Sequence, residues 1–214
     1  MDKSRQVNYV FVGMKLPMSS GKPGRPRAFD PDEALEQAMR VFWQKGFEGA
    51  SLTDLTEAMG INRPSLYAAF GNKEKLFRLA MDRYGRGPAS HVCAALLAPT
   101  AREVAEQCIV GTADLLGDPN HPPGCLGVNA FVAGGDEAVR AEMAARRFAA
   151  IEALRKRFVR ARKEGDLPVD ADPAALALYI STVTQGMSVL AVSGAKRADL
   201  QRVARLAMQA WPGD

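Results

Sequence analysis

Three cysteines, two histidines and 7% aromatic residues are all that this chain holds of the residue types that staple, ligate or stack. Cys93, Cys108 and Cys125 stand at no short mutual spacing, so neither a disulfide framework nor a zinc site is signalled, and a reduced, cytoplasmic compartment is the default. His91 and His121 belong to no H-E-x-x-H pattern, and neither a G-x-S-x-G nor a P-loop occurs. That argues against an enzyme and implies no cofactor and no metal. Apolar runs fall short of the roughly 18 residues of a membrane span, and the run at 9–12 is too short for a secretory segment. No membrane partner is expected. Useful β-alternation is also missing. What remains is 47% hydrophobic and 24% charged, which excludes disorder over most of the 214 residues.

The charge is unevenly placed. Residues 1–86 carry 14 Lys+Arg against 10 Asp+Glu, whereas residues 87–214 carry 14 of each. An excess confined to the N-terminal part suits a module that faces a polyanion. Residues 1–20 show no helical period and are expected to be a disordered leader, or residues upstream of a later start at Met14 or Met18. Gly21-Lys22-Pro23-Gly24-Arg25-Pro26-Arg27 alternates breakers with cations and reads as an extended basic arm, or as a solvated tail.

Asp30-Pro31-Asp32-Glu33 is a helix start, and Leu35, Ala38, Met39, Phe42 and Trp43 form one face of a helix that should end at Gly46. A second helix opens at Ser51 and stops at Gly60, with Leu52, Leu55, Ala58 and Met59 as its stripe. Asn62 caps a short third helix over 63–70, and Asn72 a fourth from Lys73 to about Tyr84. Helical patterns continue over 101–116, 124–133, 136–164, 172–192 and 199–210. The fold class is therefore all-α, with an N-terminal three-helix unit followed by a larger helical domain. Expected boundaries are 1–27 for leader and arm, 28–72 for the first unit and 73–212 for the second, with 73–84 as the only rigid link.

A helix ended by glycine, a tight turn and a short capped helix have the spacing of a helix-turn-helix. SLTDLTEAMGINRPSLYAAFGNKEKLF, residues 51–77, resembles the DNA-binding signature of the TetR/AcrR family of bacterial regulators. The resemblance rests on the S/T-x-T-D-L opening, A-x-x-G-I at the turn, S-L-Y in the recognition helix, the following Phe, and N-K-E-x-L-F; it covers residues 29–81. It implies a homodimer on double-stranded operator DNA, most simply a repressor released by a small organic effector. Arg63 and Ser65 would then read bases, Arg63 reaching guanine in bidentate fashion. Tyr67, Ser51, Thr53 and Lys73 would contact the backbone, and Arg25 and Arg27 an adjacent minor groove. Alanine at 68 and 69, where relatives often carry an aromatic or histidine, departs from the pattern.

In the second domain, Leu176, Ile180, Val183, Met187 and Leu190 form a stripe, and Phe148, Ile151, Leu154 and Phe158 another. The family pairs equivalent helices with their symmetry mates, so Phe148, Ile151, Phe158, Leu176, Ile180, Val183, Met187 and Leu190 are the candidate dimer seam; intramolecular core is the alternative. Arg155-Lys156-Arg157 is expected on an exposed side. Leu96, Cys108, Thr112, Cys125, Val128, Asn129 and Phe131 are candidates for the effector pocket. The stretch G-C-L-x-V-x-A at 124–130 resembles an electrophile- and acrylate-responsive subgroup, which makes Cys125 a candidate thiol sensor; an inert pocket residue is the alternative.

Overall fold

A computed structural model describes residues 29–132 and 136–212; the arm residues Arg25 and Arg27 and the side chain of Phe131 lie outside this set. Among the described residues there are ten helices and no strand. They are α1 (Pro31–Gly49), α2 (Leu52–Met59), α3 (Arg63–Phe70), α4 (Lys73–Arg86), α5 (Ser90–Ala95), α6 (Ala101–Leu116), α7 (Leu126–Val132), α8 (Glu137–Lys163), α9 (Pro173–Val192) and α10 (Arg197–Gln209).

The first four helices form where the local chemistry places them. Asp30, Ser51, Asn62 and Asn72 each accept a backbone N–H of the helix that follows, and Ser51 with Asp54 completes a reciprocal capping box. Gly60 takes a left-handed conformation, φ 65°, and ends α2 there. Gly46, at φ 68° and ψ 179°, breaks the helical path of α1 where the sequence places its end, and a short further turn follows over 47–49. The break turns Phe47 back into the core, where its ring centroid lies 5.2 Å from Phe77 and 6.2 Å from Phe42.

Two hydrophobic cores result. The first holds the inward faces of α1 to α4 and continues into Leu126, Ala130, Val139 and Met143. The second joins α5, α6, α8, α9 and α10 around Phe158 and Trp211, whose rings are 5.3 Å apart. The expected boundary at 72/73 is thus not a break in packing, because α4 shares the core of α1 to α3.

Three features depart from expectation. The six-residue α5 has no side-chain cap and was not foreseen from the sequence. Arg157, expected on an exposed face, is buried, with its Nη2 donating to the carbonyls of Ala98 at 2.9 Å and Pro99 at 2.8 Å. Helix α9 is long and apolar enough, by length and composition alone, to cross a membrane. Here it packs on α6, α8 and α10 through Ala177, Ile180 and Met187.

Candidate nucleic-acid interface and regulatory cavity

The outer face of α3 is assembled by burial of its inner one. Leu66 and Phe70 anchor the helix in the first core, so Arg63, Pro64, Tyr67 and Ala68 face outward. Tyr67 is 49% exposed, open to solvent on this outer face. Ser65 is half-buried and its N–H is bound by the Asn62 side chain at 2.9 Å. Arg63 extends to α2, where its Nη2 donates to Thr53 Oγ1 at 3.1 Å. Two residues singled out in the sequence, Arg63 and Thr53, are thereby brought together.

Charge around this face is partly tied up. Lys45 Nζ lies 2.6 Å from Asp54 Oδ1, and this bond, with those from Ser51, lowers the Asp54 carboxyl to about 2. Ser51 commits its hydroxyl to that cap and is an N-terminal stop of α2 before it is anything else. Lys73 sits 4.5 Å over the Phe47 ring, a cation–π contact that fixes the start of α4 beside the reading helix.

A cavity of about 210 Å³ lies behind this module. Its near wall is α4, through Met81, Tyr84 and Gly85; its far wall is α9, through Ile180, Ser181, Thr184 and Gln185. Of the predicted pocket residues, Cys108, Thr112, Cys125 and Val128 line it. Leu96 does not: it packs into the second core. Neither does Asn129, whose amide donates to the carbonyls of Trp43 at 3.1 Å and Pro123 at 3.0 Å. The wall from α4 was missed because those residues read as ordinary core. The row Ser181, Thr184, Gln185, uncharged polar groups on an apolar helix, was the signal that could have found the other.

Polar groups in the cavity are few and mostly satisfied. Arg146 is held by Asp82 at 2.8 Å and Glu142 at 3.1 Å, so its charge is compensated within the wall. Thr112 bonds His91 at 3.1 Å. The Tyr84 hydroxyl is buried beside Cys125, and burial first, then Cys125, raises its pKa well above the usual value. Burial pushes the Cys93 thiol up as well, and Cys108 to about 12. Cys125 itself stands one residue before α7, not in its first turn, and its N–H donates to Ser188 Oγ at 2.8 Å.

The expected seam is corrected in part. Phe158, Ile180 and Met187 are buried within their own chain and cannot meet a partner, and Ile151 and Ile180 line the cavity. Periodicity marked those on α9 because that helix is apolar on more than one side. Leu176 is partly buried in the second core. Phe148 is exposed but stands alone on α8 among the large exposed hydrophobics. Most of the other large exposed apolar side chains are on α9 (Leu178, Val189, Leu190, Val192) and α10 (Val203, Leu206), and Val183, Val203 and Leu206 line a groove between the two helices.

The two halves meet in a second place besides α4. Trp43 of α1 is fully buried, and its indole N–H donates to the Gly124 carbonyl at 2.7 Å. The Tyr84 ring meets it edge-on at 4.8 Å and His121 stacks on it at 5.2 Å. The expectation that α4 is the only rigid link is therefore overturned by direct packing of α1 on α7 and the loop before it. Three ion pairs also brace α4: Arg83–Glu36 to α1, and Arg78–Glu142 and Asp82–Arg146 to α8.

Comparison with known proteins gives a consistent result. The profile of "Bacterial regulatory proteins, tetR family" matches residues 34–80. The HTH-type transcriptional repressor ComR of Escherichia coli (strain K12) is 36% identical over 193 residues, 88% of this chain and 92% of its own. A cysteine-substituted form of the TetR family transcriptional regulator CifR, solved with 26-base-pair operator DNA, is 44% identical. It superposes with a TM-score of 0.81 over 88% of this chain and 100% of its own. A TetR regulator from Rhodococcus sp. RHA1 is 40% identical with a TM-score of 0.60, over 86% of this chain and 100% of its own.

Proposed function

The chain belongs to the tetR family of bacterial regulatory proteins, and from that membership we propose a cytoplasmic, homodimeric repressor released from its operator by a small organic effector. It is a DNA-binding transcriptional regulator, not an enzyme. The observation that carries the ligand-responsive part is the position of the cavity. Its near wall is α4, the helix that directly follows the reading helix α3. An occupant can release DNA only by preferring a conformation with the wrong spacing between the two reading helices. For a hundredfold release that preference is worth about 2.7 kcal/mol.

The lining sets the effector's chemistry. Aliphatic and methionine side chains dominate; the polar groups are hydroxyls, one amide, the thiols of Cys108 and Cys125 and the guanidinium groups of Arg146 and Arg147, Arg146 being paired with Asp82 and Glu142. That favours a small uncharged or weakly anionic organic molecule. Arg63, held by Thr53, is the base reader; Tyr67 and Lys73 grip the backbone, with Arg25 and Arg27 reaching the flanking minor groove. The α9–α10 face forms the dimer. Selection from a randomised duplex pool, followed by sedimentation of the complex, tests this. Near-palindromic sites bound by two or four protomers, with half-site centres about 10 bp apart or a multiple, are expected. A protein monomeric at micromolar concentration, or one that retains no duplex, overturns it.

One observation favours a second reading, a thiol-based sensor of electrophiles. Cys125 lines the cavity beside the buried Tyr84 hydroxyl, and it lies in the G-C-L-x-V-x-A stretch. Release by N-ethylmaleimide that disappears in Cys125→Ser supports this reading. Release that persists when Cys93, Cys108 and Cys125 are all replaced eliminates it.

A further inference from the structure

Residues 123–125 touch both halves of the molecule within three consecutive positions. The carbonyl of Pro123 and the carbonyl of Gly124 face α1: Asn129 Nδ2 ties the first to the Trp43 carbonyl, and the Trp43 indole N–H binds the second at 2.7 Å. The next side chain, Cys125, lines the cavity. Behind it, the Cys125 N–H is fixed to Ser188 of α9. We infer that this segment, with Trp43 as its receiver, is the element through which occupancy of the cavity moves the DNA-binding module. The inference rests on the effector-released repressor reading above and names the route of its regulation.

The geometry leaves the segment little slack. Gly124 is at φ 81°, and a Cβ there would come within 2.5 Å of both Asn129 Oδ1 and Val192 Cγ2. The backbone is therefore pressed between the α1 contact and the end of α9. A displacement of about 1 Å at Gly124 carries a 2.7 Å bond out of hydrogen-bonding range unless α1 follows. Trp43 is buried, so its N–H has no water to turn to. The ring is also held edge-on by Tyr84, which lines the same cavity. An occupant that moves Cys125 and Tyr84 together acts on Trp43 from two sides. α1 and α4 are in turn joined through Arg83–Glu36 and the first core, so the whole module moves with the indole.

The test uses the full chain and needs no effector. Cys125→Phe places a permanent occupant against the wall, and a duplex recovered by selection from a randomised pool is the DNA probe. Fluorescence anisotropy measures affinity for the wild type, Cys125→Phe, Trp43→Phe and the double variant. Cys125→Phe is expected to weaken binding at least about tenfold when Trp43 is present. In the Trp43→Phe background, which keeps a ring but has no N–H, the loss falls below about threefold. Equal losses in the two backgrounds, or no loss in either, overturn the proposal. If circular dichroism finds Trp43→Phe unfolded, Asn129→Leu removes the other donor and takes its place in the same cycle, with the same outcomes. A second readout comes from Trp211→Phe, which leaves Trp43 as the single indole of a chain with two. Its emission should shift to the red on adding Cys125→Phe; emission that does not move overturns transmission through Trp43. A wild-type protein that retains no duplex would sink the repressor reading instead.

Discussion

The reading module and the regulatory half are both helical but are held together in different ways. In α1 to α4 each helix start carries a side-chain cap. Their shared core is threaded by rings, Phe42, Trp43, Phe47, Phe77 and Tyr84, in contact at 4.8 to 6.2 Å. In the regulatory half α6, α8 and α9 are capped by Thr100, Asp136 and Asp172 but α5 is not, α9 is apolar on several faces, and a cavity of about 210 Å³ lies between these helices and α4. Close packing makes the first region stiff, whereas unfilled volume lets the second rearrange. A stiff reader passes a small push at its base undiminished to α3. A looser half can accept a ligand without unfolding.

The largest effect should come from the outer face of the looser half. Leu206 is 67% exposed and Leu190 47%, a surface that the proposed dimer covers. Leu206→Glu buries an unpaired carboxylate there and is expected to give monomers by sedimentation velocity, with operator binding weakened more than about a hundredfold. A dimer that survives moves the seam elsewhere and breaks the comparison.

Two glycines sharpen it next. Gly60, at φ 65°, has open space where a Cβ would go, so Gly60→Ala costs only backbone strain, about 1–2 kcal/mol. Gly124→Ala adds the clash with Asn129 and Val192 and should exceed about 3 kcal/mol in urea unfolding. Equal costs would mean that the segment at 123–125 is not pressed between the halves.

Within the reading module, Arg63→Ala should cost roughly 1–3 kcal/mol of operator binding and relax preference at one base. Lys73→Ala should weaken all duplexes alike and flatten the salt dependence by about one unit of slope. Salt-resolved anisotropy on matched and mismatched duplexes separates the two; identical profiles would dissolve the division into reader and clamp.

The smallest effect is acid stability. The Asp54 carboxyl is lowered to about 2, chiefly by its bond to Lys45, so its contribution is complete above the ordinary carboxylate pKa and is lost as pH falls through about 2. Asp54→Asn should therefore narrow the stability difference between pH 5 and pH 2 in thermal melts. A variant that loses stability just as steeply in that window would show that the acid sensitivity lies elsewhere.

How legible each region was in the sequence follows the same contrast. Bounds of α2 and α3 were readable because Ser51, Gly60, Asn62 and Gly71 act on neighbours within a turn. The long helices were equally plain, but their faces were not. Phe158 and Leu190 lie on similar stripes, yet one is wholly buried and the other is open to solvent. Period tells which residues share a face, not what covers it. Asn129 looked like a polar group for a ligand, and its partners Trp43 and Pro123 are tertiary facts. Arg157, inside a run of three cations, was hidden by its neighbours: only the turn carbonyls at 98 and 99 give it a reason to be inside.

The first core, which runs on into Leu126, Ala130, Val139 and Met143, bears on how such proteins can be recombined. A chimera joined just after α4 would strand four apolar side chains on the recipient and strip the floor from beneath α1. Grafts that carry α7 and the first two turns of α8 along with the reading head keep that floor intact. The natural unit of exchange here is discontinuous in the chain, and shuffling at the obvious helix boundary should yield insoluble hybrids, whereas the larger transplant should not.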